Sequence, residues 1–228
     1  GVALSAIILI LWWIVILIGV NYHEFWRDEV HLLTLALEPN TIFGLFPAIK
    51  EVGHPVVWPL LLRSCYTIVQ SPLALPIVST GAAFLGVFVF LKFSPFSNWQ
   101  KILFIFGVFP IYQYSVMPRN YGLAMPLLFL FAHFYRTRQK NPLVLSILLF
   151  VLANTSAHAG LIAAVLFLMW AVEYFFAERK NLALHLGSFG LVILGGVIAL
   201  ATAMPNSDTV VTSVVSSGLG FSELSDAL

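Results

Sequence analysis

The side chains of this chain that could do chemistry are few and crowded. Five of its ten carboxylates (Glu24, Asp28, Glu29, Glu38 and Glu51) and three of its six histidines (His23, His31 and His54) fall within residues 21–72. Asp28-Glu29 is the densest point. An adjacent carboxylate pair can deprotonate a hydroxyl, each acid raising its neighbour's pKa by like-charge proximity, or help to hold a divalent cation such as Mg²⁺ or Mn²⁺. The same pair in the first turn of a helix simply favours the helix dipole, by about 0.3–1 kcal/mol. Beyond them, polar side chains are sparse. Gly53-His54-Pro55 precedes Trp58; Arg63 sits inside an apolar run; Arg119-Asn120-Tyr121 follows Pro118; His158 stands alone. Arginine suits a phosphate, because its planar fork matches phosphate oxygens. Each has a plain structural reading too: Arg119 as a snorkelling cation, His158 as a packing histidine, Trp58 and Tyr121 as interfacial aromatics.

The elements that must position these residues are apolar. Of 228 residues, 60% are hydrophobic and 9% charged, with a mean hydropathy of +0.96; a soluble domain carries about 25% charge. Net charge is +1, so no basic excess points to nucleic acid, and the single Cys65 excludes a disulfide scaffold. The sequence predicts an all-α, polytopic membrane bundle. Apolar runs long enough to cross lie at 2–20, 73–91, 102–117, 121–135, 159–176 and 183–204. The first is longer than the apolar region of a signal peptide and is read as a span. Segment 142–153 is apolar but short, and 55–70 carries Arg63 at its centre.

Loop charge decides between these. Lys92 and Lys101, then Arg136, Arg138 and Lys140, then Arg179 and Lys180 fall on one face if 142–153 crosses and 55–70 does not. An arginine at the bilayer centre costs several kcal/mol, which agrees. The expectation is about seven spans with a cytoplasmic N-terminus. Residues 21–72, 115–120, 154–160 and 205–228 then lie on the outer side, periplasmic or extracellular in a bacterium and lumenal in a eukaryote. Asp28 to Glu38 has apolar residues at 30, 32/33, 35 and 37, the spacing of a short amphipathic helix lying in the interface. His23-Glu24 lacks the second histidine of a zinc-protease helix, and no P-loop or dinucleotide glycine motif occurs.

With these residues in view, the sequence resembles the GT-C superfamily of polyprenyl-phosphate-sugar-dependent glycosyltransferases, nearest the protein O-mannosyltransferase and aminoarabinose-transferase type. The likeness runs through Trp26-Arg27-Asp28-Glu29 early in the first outer loop, Gly53-His54-Pro55-Val56 followed by Leu60-Leu61-Leu62, Arg119-Asn120-Tyr121, and Ser156-Ala157-His158-Ala159-Gly160. Val56 stands where the family has a second proline. The resemblance covers residues 1–204 and implies a seven-span module with two juxtamembrane helices in the first outer loop. Family members usually continue into further spans, so the expectation for a chain with 205–228 as an outer-side tail is a fragment, a minimal member or a relative that has lost activity.

What the resemblance implies about chemistry is specific. Asp28 would be the catalytic base and Glu29 its neighbour, the two together a candidate site for Mg²⁺ or Mn²⁺. Arg119 would clamp the donor phosphate, with Arg63 a second candidate, and His54, Tyr121 and His158 would contact substrate. Apolar grooves would take the polyprenyl tail. Two other readings compete: a non-catalytic subunit or scaffold of a larger membrane complex, and a transporter using outer-side carboxylates. The transporter lacks a mid-span acid, since Glu173 lies near the inner end of its helix.

Overall fold

The computed structural model describes residues 2–50, 54–176 and 181–204, with no strand among them. Gly53, the basic pair Arg179 and Lys180, and the 205–228 tail lie outside the described residues. Four helices are long and apolar enough to cross a membrane: α1 (Val2–Tyr22), α5 (Ala74–Phe93), α9 (Ala157–Phe176) and α10 (Leu182–Ala203). Each lies within two residues of an apolar run expected to span. Helix α5 is the central post, with 61% of its most apolar window buried against 17% for α1. The others turn large apolar side chains outward, such as Leu11 on α1, Val165 on α9 and Val197 on α10. Such surfaces belong against lipid, where no hydrophobic penalty attaches to exposure.

The remaining expected spans depart from single long helices. Residues 102–117 do not form one. They split into α6 (Asn98–Ile105) and a π-helical segment (Phe109–Val116). Gly107 and Pro110 account for the break: proline has no N–H for the ladder, and its ring excludes the preceding turn. The widened turn is closed by Met117 N–H donating to Tyr112 O at 2.9 Å, five residues back, and by Ser115 Oγ donating to Pro110 O. Helix α7 (Tyr121–Phe134) runs 14 residues into a 3₁₀ turn at Tyr135–Thr137, and α8 (Pro142–Ala153) runs 12.

Between α1 and α5 stand three short helices rather than the two implied by the resemblance: α2 (Arg27–Leu37), α3 (Ile42–Lys50) and α4 (Val57–Val69). At 13 residues α4 is about 20 Å long, short of a hydrocarbon core of about 30 Å. The three helices share one apolar cluster built on Leu33, Leu45, Ile49, Trp58 and Leu62, which meets the bundle at Leu75 of α5. The expected amphipathic helix is α2, with Leu33, Leu35 and Ala36 on its buried face. A second cluster joins α8, α9 and α10 through Leu145, Leu149, Trp170 and Phe189. There α8 and α10 touch backbone to backbone, since a Cβ on Gly195 would lie 2.9 Å from Phe150 Cα.

Candidate functional site

The site is assembled where α1 ends, α2 begins and α7 begins. Trp26 is the N-cap of α2, and Glu29 is its third residue. The Glu29 carboxylate turns back, and its Oε2 accepts the Trp26 backbone N–H at 2.8 Å, supplying the return half of a capping box. The same oxygen accepts from His23 Nε2 at 3.1 Å. His23 itself is wedged edge-on against Phe25 and Tyr112. Glu29 is therefore fully buried and anchors the entry to α2.

Asp28, one residue earlier, points the other way. Its side chain is 57% exposed, and Oδ2 forms an ion pair with Arg119 Nη2 at 2.8 Å. The guanidinium lies 5.3 Å from the Trp26 ring centroid, a cation–π distance, and its Nε sits 3.7 Å from Glu29 Oε1. That gap is too long for a hydrogen bond, and both atoms are buried without a partner. One arginine thus clasps the start of α2 through its two acids and its N-cap ring.

Backbone geometry brings Arg119 there. It lies in the turn between the π-helical segment and α7. The two cross so closely that a Cβ on Gly122 would lie 2.1 Å from Tyr114 O. No other residue fits at that crossing. The turn is tied down by Asn120, whose Nδ2 donates to Thr155 O at 3.1 Å. His54 is held from the same place, because the first amide of α4, Val57 N–H, donates to Asn154 O at 3.0 Å.

Asp28, Glu29, His31, Leu32, His54, Arg119, Asn120 and Tyr121 line one cavity of about 130 Å³. Burial pushes the His54 pKa below its ordinary value, and the Asp28 charge offsets this only in part. At neutral pH His54 is an uncharged imidazole, a hydrogen-bonding group and not a second cation. Tyr121 also lines a larger neighbouring cavity of about 530 Å³, whose walls include Phe104, Phe109, Met125 and Phe129. His158 lies in this second cavity, its ring centroid 6.4 Å from that of Tyr121.

Five of the seven expected site residues, Asp28, Glu29, His54, Arg119 and Tyr121, therefore share one cavity, with His158 behind the Tyr121 ring. Arg63 does not join them: its Nη1 donates to Ala36 O at 2.8 Å and Pro39 O at 2.7 Å, closing the C-terminal end of α2. His23, His31 and Asn120, noted in the sequence but given no role there, complete the site. His23 reaches Glu29 through a non-helical loop, so no periodic signal marks it.

The carboxylates as placed do not form a preorganised cation site. Asp28 holds a guanidinium, Glu29 is committed to an N-cap amide and His23, and no group of three potential ligands occurs among the described residues. Comparison with protein-family models, with curated proteins and with solved structures finds no match. The site is accordingly interpreted from its own geometry.

Proposed function

We propose that this chain is a membrane glycosyltransferase of GT-C type, moving a sugar from a polyprenyl-phosphate donor to an acceptor on the outer or lumenal face. The observation that carries the reading is the pairing of an accessible carboxylate, Asp28, with a phosphate-matching guanidinium, Arg119, in one cavity that shares Tyr121 as a wall with an apolar one. The polar cavity alone is smaller than the roughly 300 Å³ minimum of small-molecule sites, and the apolar one lies inside that range. A ligand filling both has a compact polar head and an apolar tail.

In this reading the donor phosphate takes the Arg119 Nη atoms from Asp28, which frees the carboxylate. Asp28 accepts the proton of the acceptor hydroxyl as that oxygen attacks the anomeric carbon. The bond from that carbon to the phosphate oxygen breaks, and its electron pair leaves with the polyprenyl phosphate, whose charge Arg119 holds. Neutral His54 and the Tyr121 hydroxyl hydrogen-bond the sugar, and no step is routed through a metal. Seven crossings with residues 21–72 on the outer side suit this arrangement. Lys92, Lys101, Arg136, Arg138 and Lys140 then face the cytoplasm.

A second reading has its own observation. The Arg119 clasp on Asp28, Glu29 and Trp26 is also what a non-catalytic subunit needs to fix its first loop to α7. Transfer from polyprenyl-phosphate sugars by the purified protein, compared with Asp28→Asn, separates the two. Turnover abolished in the variant supports the transferase. A wild type inactive with every donor, in a protein that binds none, leaves the structural subunit.

A further inference from the structure

The opposite end of α1 holds a second charged cavity. Between the first turns of α1 and the last turn of α5, bounded by the start of α6, lies a space of about 520 Å³ lined by Ser5, Leu9, Phe88, Lys92, Asn98 and Lys101. Ser5 is about 25 Å along α1 from Tyr22, so this cavity is independent of the polar site and of the function proposed for it.

Its chemistry is cationic and unbalanced. Lys101 is only 8% exposed, and its Nζ donates to Leu91 O at 2.8 Å in the last turn of α5. An ammonium has three N–H bonds, so two remain to be matched. Lys92 stands across the cavity with its Nζ 5.1 Å from the Phe93 ring centroid. Among the described residues no carboxylate lies within ion-pair distance of either lysine. Along the chain no Asp or Glu occurs between Glu51 and Glu173, and Glu173 is bonded to Arg138 and Tyr135. A buried cation without a counter-charge is costly, and what completes it is an anion.

The surroundings say what carries that anion. Phe88 is exposed at the cavity edge, the flanking helices present Ile7, Leu11 and Leu85 outward, and Trp99 stands exposed at the same end as an interfacial aromatic would. Basic pockets between membrane helices hold anionic headgroups by this combination of cations and apolar flanks. We infer that the cavity seats the headgroup of an anionic phospholipid. Its phosphodiester lies between Lys92 and Lys101, and its acyl chains run along the outer faces of α1 and α5.

Native mass spectrometry of the full chain in detergent, titrated with phosphatidylglycerol or phosphatidylcholine, tests this. Phosphatidylglycerol should bind more tightly than phosphatidylcholine. Lys92→Gln should weaken it about fivefold, and Lys101→Gln at least as much. Arg136→Gln, a cation outside this cavity, should leave it unchanged. Lys92 is exposed and bonds no backbone group, so its variant folds and decides the matter even if Lys101→Gln does not fold. Equal binding of the two lipids, or wild-type affinity in Lys92→Gln, overturns the inference. Displacement of phosphatidylglycerol by equimolar inorganic phosphate overturns its lipid identity.

Discussion

Adjacent carboxylates with opposite surroundings should respond to the same conservative change in opposite ways. Asp28→Asn keeps an oxygen that can accept from Arg119 Nη2, at a position more than half exposed. Exposed ion pairs contribute about 0–1 kcal/mol, so the fold should hold. What the variant loses is a proton acceptor, and removal of a general base costs about 10²–10⁴ in rate. Glu29→Gln reverses the pattern. One amide must replace a carboxylate that accepts from Trp26 N–H and His23 and faces Arg119 Nε, all in a buried setting.

A buried donor left unmatched costs about 1–3 kcal/mol, and removing one charge of a buried pair about 3–5. A net loss of about 2–4 kcal/mol is expected for Glu29→Gln, a fall in Tm of roughly 5–15 °C for a domain of this size. The assays are transfer from a polyprenyl-phosphate sugar and thermal unfolding in detergent, run on both variants. Asp28→Asn with wild-type turnover removes the catalytic assignment. A Glu29→Gln protein as stable as the wild type removes the claim that Glu29 is the structural partner of the pair.

Arg119→Lys replaces a fork that meets Asp28, Glu29 and Trp26 together by a point charge, and turnover should fall about 10²-fold while Glu38→Gln, on the exposed end of α2, stays near wild type; equal losses in the two variants would sink the phosphate-clamp role. Because burial lowers the His54 pKa, the unfolded chain binds a proton there more readily than the folded one, so this group's contribution to stability is lost as pH falls below about 6.5. Unfolding followed between pH 7 and pH 5 should show a shallower acid slope in His54→Gln than in the wild type, and identical slopes would contradict the stated burial. In a Cys65→Ser background, a cysteine at exposed His31 should react with an impermeant maleimide from the outer side and one at exposed Lys140 only after permeabilisation; labelling of both from one side would overturn the seven-span orientation.

Legibility of the fold from sequence followed the strength of each local signal. Uninterrupted apolar runs such as 2–20 and 183–204 impose a helix wherever they lie in lipid, since no other backbone satisfies its own polar groups there. Residues 102–117 are also apolar enough on average to read as a span, but Gly107 and Pro110 interrupt the backbone ladder, so the run breaks. At the site, residue types and chain order identified Asp28, His54, Arg119 and Tyr121. The division of labour between Asp28 and Glu29 was hidden because the capping box normally announces itself by a small polar N-cap, and here Trp26 stands in that place. Arg63 was legible as a misfit in a membrane span, but its acceptors, Ala36 O and Pro39 O, depend on a tertiary contact that no local pattern encodes.

The polar cavity is positioned by the bundle more than by its own loop. Asn154, Thr155 and Ser156 are three consecutive polar residues, all buried, at the break between α8 and α9. A helix break buried in protein must match the backbone groups it frees from within the protein. Here Asn154 Nδ2 donates to Gly195 O and Phe150 O, Thr155 Oγ1 to Leu152 O, and Ser156 Oγ accepts the Ala159 N–H. The two backbone carbonyls left over, Asn154 O and Thr155 O, accept Val57 N–H and Asn120 Nδ2. One helix break therefore sets both the segment bearing His54 and the turn bearing Arg119. The opposite wall has no such tether: Asp28 is held to it by the Arg119 ion pair and the cap of α2. A ligand that competes for Arg119 would release Asp28 and leave His54, Asn120 and Tyr121 in place. In the proposed transferase, the side of the cavity that can yield to an incoming phosphate is thus the side that carries Asp28.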